Sequence, residues 1–322
     1  MKISYSVKYS FFIIGFVLAM PCLLLAQEAK EEDPTFFTGI SPILLERNAS
    51  EVTLMNSMSS FWLAIHKYDP TLQIAQIQDR QRFTRTEHLL RLTYGFSKNK
   101  NWDLGAELKF ANARLDDAAR SSPFLVFNKQ AEKSTENFVN NNSYHGLSSI
   151  GLRLRFMPIN SVPELTLQAT YQRPVARTAA ERYAFGSQRT QAGLTATYFI
   201  QSGENIYYFF QADWATLLKS DDNHFNGHIP SISTFVVIRT WEDQWFIYPG
   251  LTYSTSLSGS FYRLQQQLFG SLGVFYQPNP KFSILLNWQT PFVLQSGNRS
   301  VDFVKESYTG FTIGVRALFA PR

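Results

Sequence analysis

The chain has 322 residues, of which 44% are apolar, 15% aromatic and only 17% charged, and its net charge is +5. A disordered chain would be rich in charge and poor in aromatics, so 28 Phe, 15 Tyr and 6 Trp exclude that class. The modest and unclustered positive charge points to no nucleic-acid partner.

Lys2 and Lys8 precede an almost wholly apolar run from Phe11 to Ala26, after which Gln27-Glu28-Ala29-Lys30-Glu31-Glu32-Asp33 turns polar. A positive start, a short apolar run and a small closing residue describe a secretory signal peptide over residues 1–26, cleaved near Ala26. A spanning helix needs about 20 apolar residues, and this run falls short. Cys22 is the only cysteine and leaves with the signal, so the mature chain has no disulfide, cysteine nucleophile or cysteine-held zinc. Residues 27–56 start acidic, with Glu28, Glu31, Glu32 and Asp33, and are read as a periplasmic N-terminal segment. The alternative is an inward fold that plugs a basic lumen.

From residue 57 to 322 the sequence alternates. Ile150, Leu152, Leu154 and Phe156 oppose Gly151, Arg153 and Arg155, and Phe311, Ile313, Val315, Ala317 and Phe319 oppose Gly310, Thr312, Gly314 and Arg316. A period of two means strands with one apolar and one polar face. The pattern predicts twelve strands: 57–66, 85–97, 101–113, 146–157, 163–174, 189–200, 205–217, 229–240, 245–256, 261–277, 281–294 and 307–319. Short links alternate with long ones, the latter at 67–84, 114–145, 175–188, 218–228 and 295–306, while 257–260 alone breaks the contrast. Strands of about 10 residues with short turns at one end and long loops at the other are the plan of an outer-membrane barrel. The predicted fold class is therefore all-β, a single antiparallel up-and-down transmembrane barrel of about 12 strands. It would sit in the outer membrane of a Gram-negative bacterium, with outer-membrane lipid as its first partner.

If the apolar set faces lipid, the other set lines the lumen. It holds Arg91, Lys109, Arg153, Arg155, Arg239, Arg263 and Arg316, against Asp103, Glu107 and Asp213. A lining of guanidinium groups favours anions, and Arg grips carboxylate and phosphate with two hydrogen bonds. Arg–carboxylate networks also brace narrow barrels, so a packed lumen stays open as a reading. Aromatic belts are expected where strands meet the interface: Trp102, Trp245, Tyr276, Phe282 and Phe319 at the periplasmic end, Tyr171 and Trp214 at the outer end.

The chain calls for no catalytic residue, metal or cofactor. Outer-membrane lipases place a Ser and a His together on the barrel wall, and His145-Gly146-Leu147-Ser148 is the nearest approach here. Asp221, Asp222, His224 and His228 share one loop and read as polar surface.

One hairpin reads Leu90-Arg91-Leu92-Thr93-Tyr94-Gly95-Phe96, then Asn101-Trp102-Asp103-Leu104-Gly105. The strand Gly146-Leu147-Ser148-Ser149-Ile150-Gly151-Leu152-Arg153-Leu154-Arg155-Phe156 follows. The closing hairpin carries Gly273-Val274-Phe275-Tyr276, Pro280, and Gly310-Phe311-Thr312-Ile313-Gly314-Val315. This order resembles the outer-membrane transporter-like barrels named after the meta-pathway of phenol degradation, from about residue 90 to the end. The resemblance implies a barrel that passes small, often aromatic or hydrophobic compounds, and it supplies no site residues. Barrels of this kind close on an aromatic residue read by the barrel assembly machinery; here Ala320-Pro321-Arg322 follow Phe319.

The sequence thus predicts a channel or transporter for passive or gated uptake of a small-molecule solute through an Arg-rich lumen. A non-conducting structural or surface-interaction barrel is the alternative, with loop 114–145 as its binding element. A lipid-modifying outer-membrane enzyme ranks third.

Overall fold

The computed structural model describes residues 44–69, 74–97, 101–116, 143–186, 189–218, 226–240, 244–258, 263–296 and 309–319. The predicted signal peptide, residues 27–43, most of loop 114–145, and Asp221, Asp222 and His224 lie outside the described residues.

Twelve strands close into a barrel in which every neighbouring pair is antiparallel. In chain order they are β1 (Ser50–Asp69), β2 (Ile74–Gly95), β3 (Trp102–Asp116), β4 (Ser143–Phe156), β5 (Leu165–Pro174) and β6 (Gln191–Ser202). Then come β7 (Ile206–Leu217), β8 (Gly227–Arg239), β9 (Trp245–Ser258), β10 (Arg263–Asn279), β11 (Phe282–Ser296) and β12 (Thr309–Phe319). β12 pairs with β1 and leaves no edge. Each predicted strand has its counterpart, and the alternation explains why: residues two apart share a face, so one wall surface is apolar along its length. Leu54, Leu92, Leu104, Leu108, Leu152, Leu194, Leu251, Leu272 and Leu286 are all exposed on the outside. A water-soluble barrel would bury such residues.

Three expectations need correction. β1 begins at Ser50 rather than 57, so residues 50–56 belong to the barrel. The Val52–Leu54 alternation that marks them is only two apolar residues long. The stretch expected as a loop at 67–84 is mostly strand, with Asp69 paired to Ile74 at the tip. Backbone pairing continues there beyond the apolar stripe, where side-chain periodicity gives no signal. Finally, the chain just before β1 is no free tail. Leu44, Leu45 and Ala49 are buried, Leu45 N donates to Asp103 Oδ2 at 3.2 Å, and Asn48 N donates to Gly95 O at 2.8 Å. A Cβ on Gly95 would fall on the Glu46 carbonyl, so only glycine lets this turn dock.

A short helix, α1 (Ala179–Ala184), interrupts the connection between β5 and β6. The sequence Thr178-Ala179-Ala180-Glu181 starts it as a capping box. Thr178 Oγ1 accepts from Glu181 N at 3.1 Å, and the Glu181 carboxylate accepts from Thr178 N at 3.0 Å and Arg177 N at 2.9 Å. The chain beyond α1 folds into the bore: Phe185 is buried with Ala111 and Ala113 of β3, and Phe83 and Tyr144 pack alongside.

Candidate functional site

The inward faces of the strands form two unlike walls at the short-turn end. The first spans β12, β1, β2, β3 and β4 and carries ions. Arg155 stands directly opposite Asp103, and Arg91 opposite Glu107, so each pair forms across neighbouring strands. Arg91 Nε meets Glu107 Oε1 at 2.7 Å, and Arg316 meets Glu51 Oε2 at 3.0 Å. Arg153 differs. It stands opposite Gly105, and its guanidinium donates to Thr93 Oγ1 at 2.6 Å and Gln168 Oε1 at 3.4 Å. Among the described residues its buried Nε has no partner, and no carboxylate of theirs forms an ion pair with it. A Cβ at Gly105 would crowd Leu92 O at 3.0 Å and Thr93 Oγ1 at 3.2 Å, the hydroxyl that Arg153 bonds.

The second wall spans β7 to β11 and is apolar. Tyr207, Phe209, Val237, Phe246, Tyr248, Phe275 and Leu285 form one buried cluster, joined by Met55, Phe199 and Phe235. The expectation of a polar inner face fails here. In Ile206-Tyr207-Tyr208-Phe209-Phe210 both faces are apolar, so alternation no longer tells inside from outside.

Toward the long-loop end the lining is polar again. Asp213 accepts from Thr195 Oγ1 at 2.7 Å, from Gln211 Nε2 at 2.6 Å and from Ser231 Oγ at 3.2 Å. Lys109 Nζ donates to Gln172 Oε1 at 3.3 Å and lies 3.6 Å from Glu87 Oε1. Near them, Phe185, Gly186 and Arg189 help line a cavity of about 520 Å³. Arg85 reaches up from β2 and donates to Phe185 O at 3.1 Å.

The predicted lumen residues therefore separate. Arg91, Arg153, Arg155 and Arg316 meet in one ionic wall, with Lys109 above it. Asp213 belongs to a hydroxyl and amide cluster on the far side. Arg239 lies 6.0 Å from the Phe246 ring centroid, at the edge of the apolar wall. The Arg263 side chain lies outside the described residues. Sequence reasoning missed Glu51 by starting β1 late, and it passed over Glu87. Both are acidic, and the cations Arg85 and Arg189 at the loop-end cavity were passed over with them, so the inner face keeps its positive excess.

The expected belt residues Trp102, Tyr171, Trp214, Trp245, Phe282 and Phe319 are exposed on the outer wall. Tyr276 is half-buried because its ring packs 4.4 Å from Trp245, centroid to centroid. Trp102 stacks on Phe96 at 5.3 Å.

A wall-mounted lipase needs a hydroxyl on its histidine. His88 faces outward, but its Nδ1 donates to Asn56 Oδ1 at 2.6 Å and its Nε2 accepts from Asn112 Nδ2 at 3.2 Å. Both ring nitrogens are taken by amides, and the Thr86 hydroxyl bonds the same Asn112 amide instead. Among the described residues, neither His88 nor His145 holds a serine hydroxyl.

No family model matches the chain, and no curated protein matches it. Among solved structures, an outer membrane channel from Pseudomonas putida F1 has a TM-score of 0.57 at 12% identity, covering 90% of this chain and 100% of that one. The CymD monoaromatic hydrocarbon channel has a TM-score of 0.44 at 8% identity, covering 86% and 90%. The β domain of the Bordetella autotransporter BrkA has a TM-score of 0.47 at 12% identity, covering 84% and 100%. The first likeness establishes a shared barrel architecture.

Proposed function

We propose that this protein is an outer-membrane channel that passes a small solute along the bore of its barrel. The observation that carries the reading is the inversion of the wall: large apolar residues outside, ion pairs inside. In hydrocarbon every backbone group must find its partner within the protein, and a sheet satisfies this only by closing. The short turns then face the periplasm and the long loops the exterior. Export would follow cleavage near Ala26, insertion would need the barrel assembly machinery, and lipid would cover the outer face.

The solute would pass between the ionic wall and the aromatic wall, meeting charge on one side and flat rings on the other. The resemblance to the phenol meta-pathway barrels supports a compound with an apolar part. The turn Leu44–Ala49 at one end and the chain after α1 at the other are the obstacles, so passage would be gated by their movement. Conductance of the purified barrel in planar bilayers tests this. Discrete channel steps are expected, with ion selectivity altered by Arg91→Gln or Arg239→Gln. A folded barrel without conductance would overturn the reading.

The packing of Arg153, Arg155 and Asp103 at the turn end favours a second reading, a closed structural barrel. It predicts no steps and no effect of either substitution on uptake.

A further inference from the structure

Three cations reach the loop-end cavity from separate elements: Arg85 from β2, Lys109 from β3 and Arg189 from the chain after α1. Among the described residues, Glu87 is the one acid in its lining. Lys109 is oriented by the amide oxygen of Gln172, whose own Nε2 donates to Glu107 at 3.1 Å. Arg85 is oriented by a backbone carbonyl. Amide and carbonyl oxygens steer these cations without cancelling their charge; Glu87, 3.6 Å from Lys109 Nζ, offsets one of the three positive charges and leaves the lining net positive. Pro174 and Leu217 add hydrocarbon to the same lining. The volume, about 520 Å³, lies within the range of small-molecule sites, about 300–1,000 Å³.

We propose that this cavity binds a small organic carboxylate. The carboxylate would lie among Lys109, Arg85 and Arg189, which supply charge-assisted hydrogen bonds. Its carbon body would lie against Pro174 and Leu217. The site is the outer station of the solute path and rests on the channel reading for that role, though binding itself can be measured without conduction.

The test uses the purified full barrel in neutral detergent micelles, with benzoate as probe and isothermal titration as readout. Benzyl alcohol, which has the ring without the charge, and inorganic phosphate, which has the charge without the ring, form the other arms. Benzoate should bind saturably and at least about tenfold more tightly than either control, the scale set by one charged hydrogen bond. Lys109→Met should weaken benzoate by about tenfold, and Lys109→Arg should restore it. Heat-modifiable gel mobility confirms that each variant is folded. Equal binding of benzoate and benzyl alcohol, or benzoate binding untouched by Lys109→Met and Arg189→Gln, would overturn the site. Equally tight phosphate would remove the organic body from the proposal. Benzoate binding without conductance would sink the channel and keep the site; conductance without benzoate binding would do the reverse.

Discussion

Arg155 holds Asp103 by two hydrogen bonds, Nε to Oδ1 at 2.9 Å and Nη2 to Oδ2 at 2.6 Å. The side chains are 2% and 0% exposed, and the same Oδ2 accepts from Leu45 N. One carboxylate therefore joins two strands and pins the chain that precedes the barrel. The bond to Leu45 ties the inward turn to a charge pair, so the ionic wall and the closure of the turn end share a residue.

Asp103→Asn should destabilise the barrel by about 3–5 kcal/mol, because it leaves Arg155 buried without its countercharge. Replacing both partners, Asp103→Leu with Arg155→Met, should recover much of that loss, since apolar pairs replace buried ion pairs well. Urea unfolding in micelles, followed by tryptophan fluorescence, measures both. An Asp103→Asn barrel as stable as the wild type would show that the pair carries no such weight.

Tyr248 lies flat over Gly273 on the neighbouring strand, and a Cβ at Gly273 would fall on its ring. Phe235 covers Gly250 in the same way. Gly273→Ala should force the ring inward and cost about 1–3 kcal/mol, the usual price of overpacking. Gly273→Ala combined with Tyr248→Leu should relieve the clash, and a thermal unfolding series over the four proteins reads the coupling.

The barrel was legible because lipid demands one apolar face on each strand, and Leu152 against Arg153 reports that demand residue by residue. The ionic wall was legible in part, since Arg91, Arg153 and Arg155 fall on the polar parity of well-patterned strands. Glu51 was not, because β1 has little apolar signal around it. The aromatic wall was hidden for a different reason: Tyr207 and Phe209 alternate with Tyr208 and Phe210, and a strand apolar on both faces has no readable inside. The fold of the chain past α1 onto Ala111 and Ala113 depends on partners more than 60 residues away in sequence. The capping box at Thr178 marks the helix but says nothing of where it docks.

Leu152 is 58% exposed on β4, between Ile150 and Leu154 on the outer face. Leu152→Arg should cost about 1–4 kcal/mol, the range for a cation facing hydrocarbon inside the apolar band. The same change at Ile159, exposed in the turn after β4, should be nearly neutral. Folding titrations into lipid vesicles compare the two. Equal costs would mean that Leu152 is not in hydrocarbon, and the inverted wall would lose its explanation.

The cap of α1 should respond to acid. Glu181 accepts hydrogen bonds from Thr178 N and Arg177 N, and these hold its carboxyl below the ordinary 4.5. A carboxyl whose value is lower in the folded state adds stability above its ordinary value and loses it as the pH falls through the lowered one. The helix should thus keep its cap at neutral pH and fray as the pH falls through the lowered value. The group is exposed, so the effect should stay local to the loop. A nitroxide on Arg177→Cys of the mature barrel reads loop mobility by electron paramagnetic resonance. Mobility should rise at low pH and return on neutralisation. Glu181→Gln should lose most of the pH dependence, because an amide cannot titrate. A label whose mobility ignores pH in both proteins would show that the cap does not hold this loop.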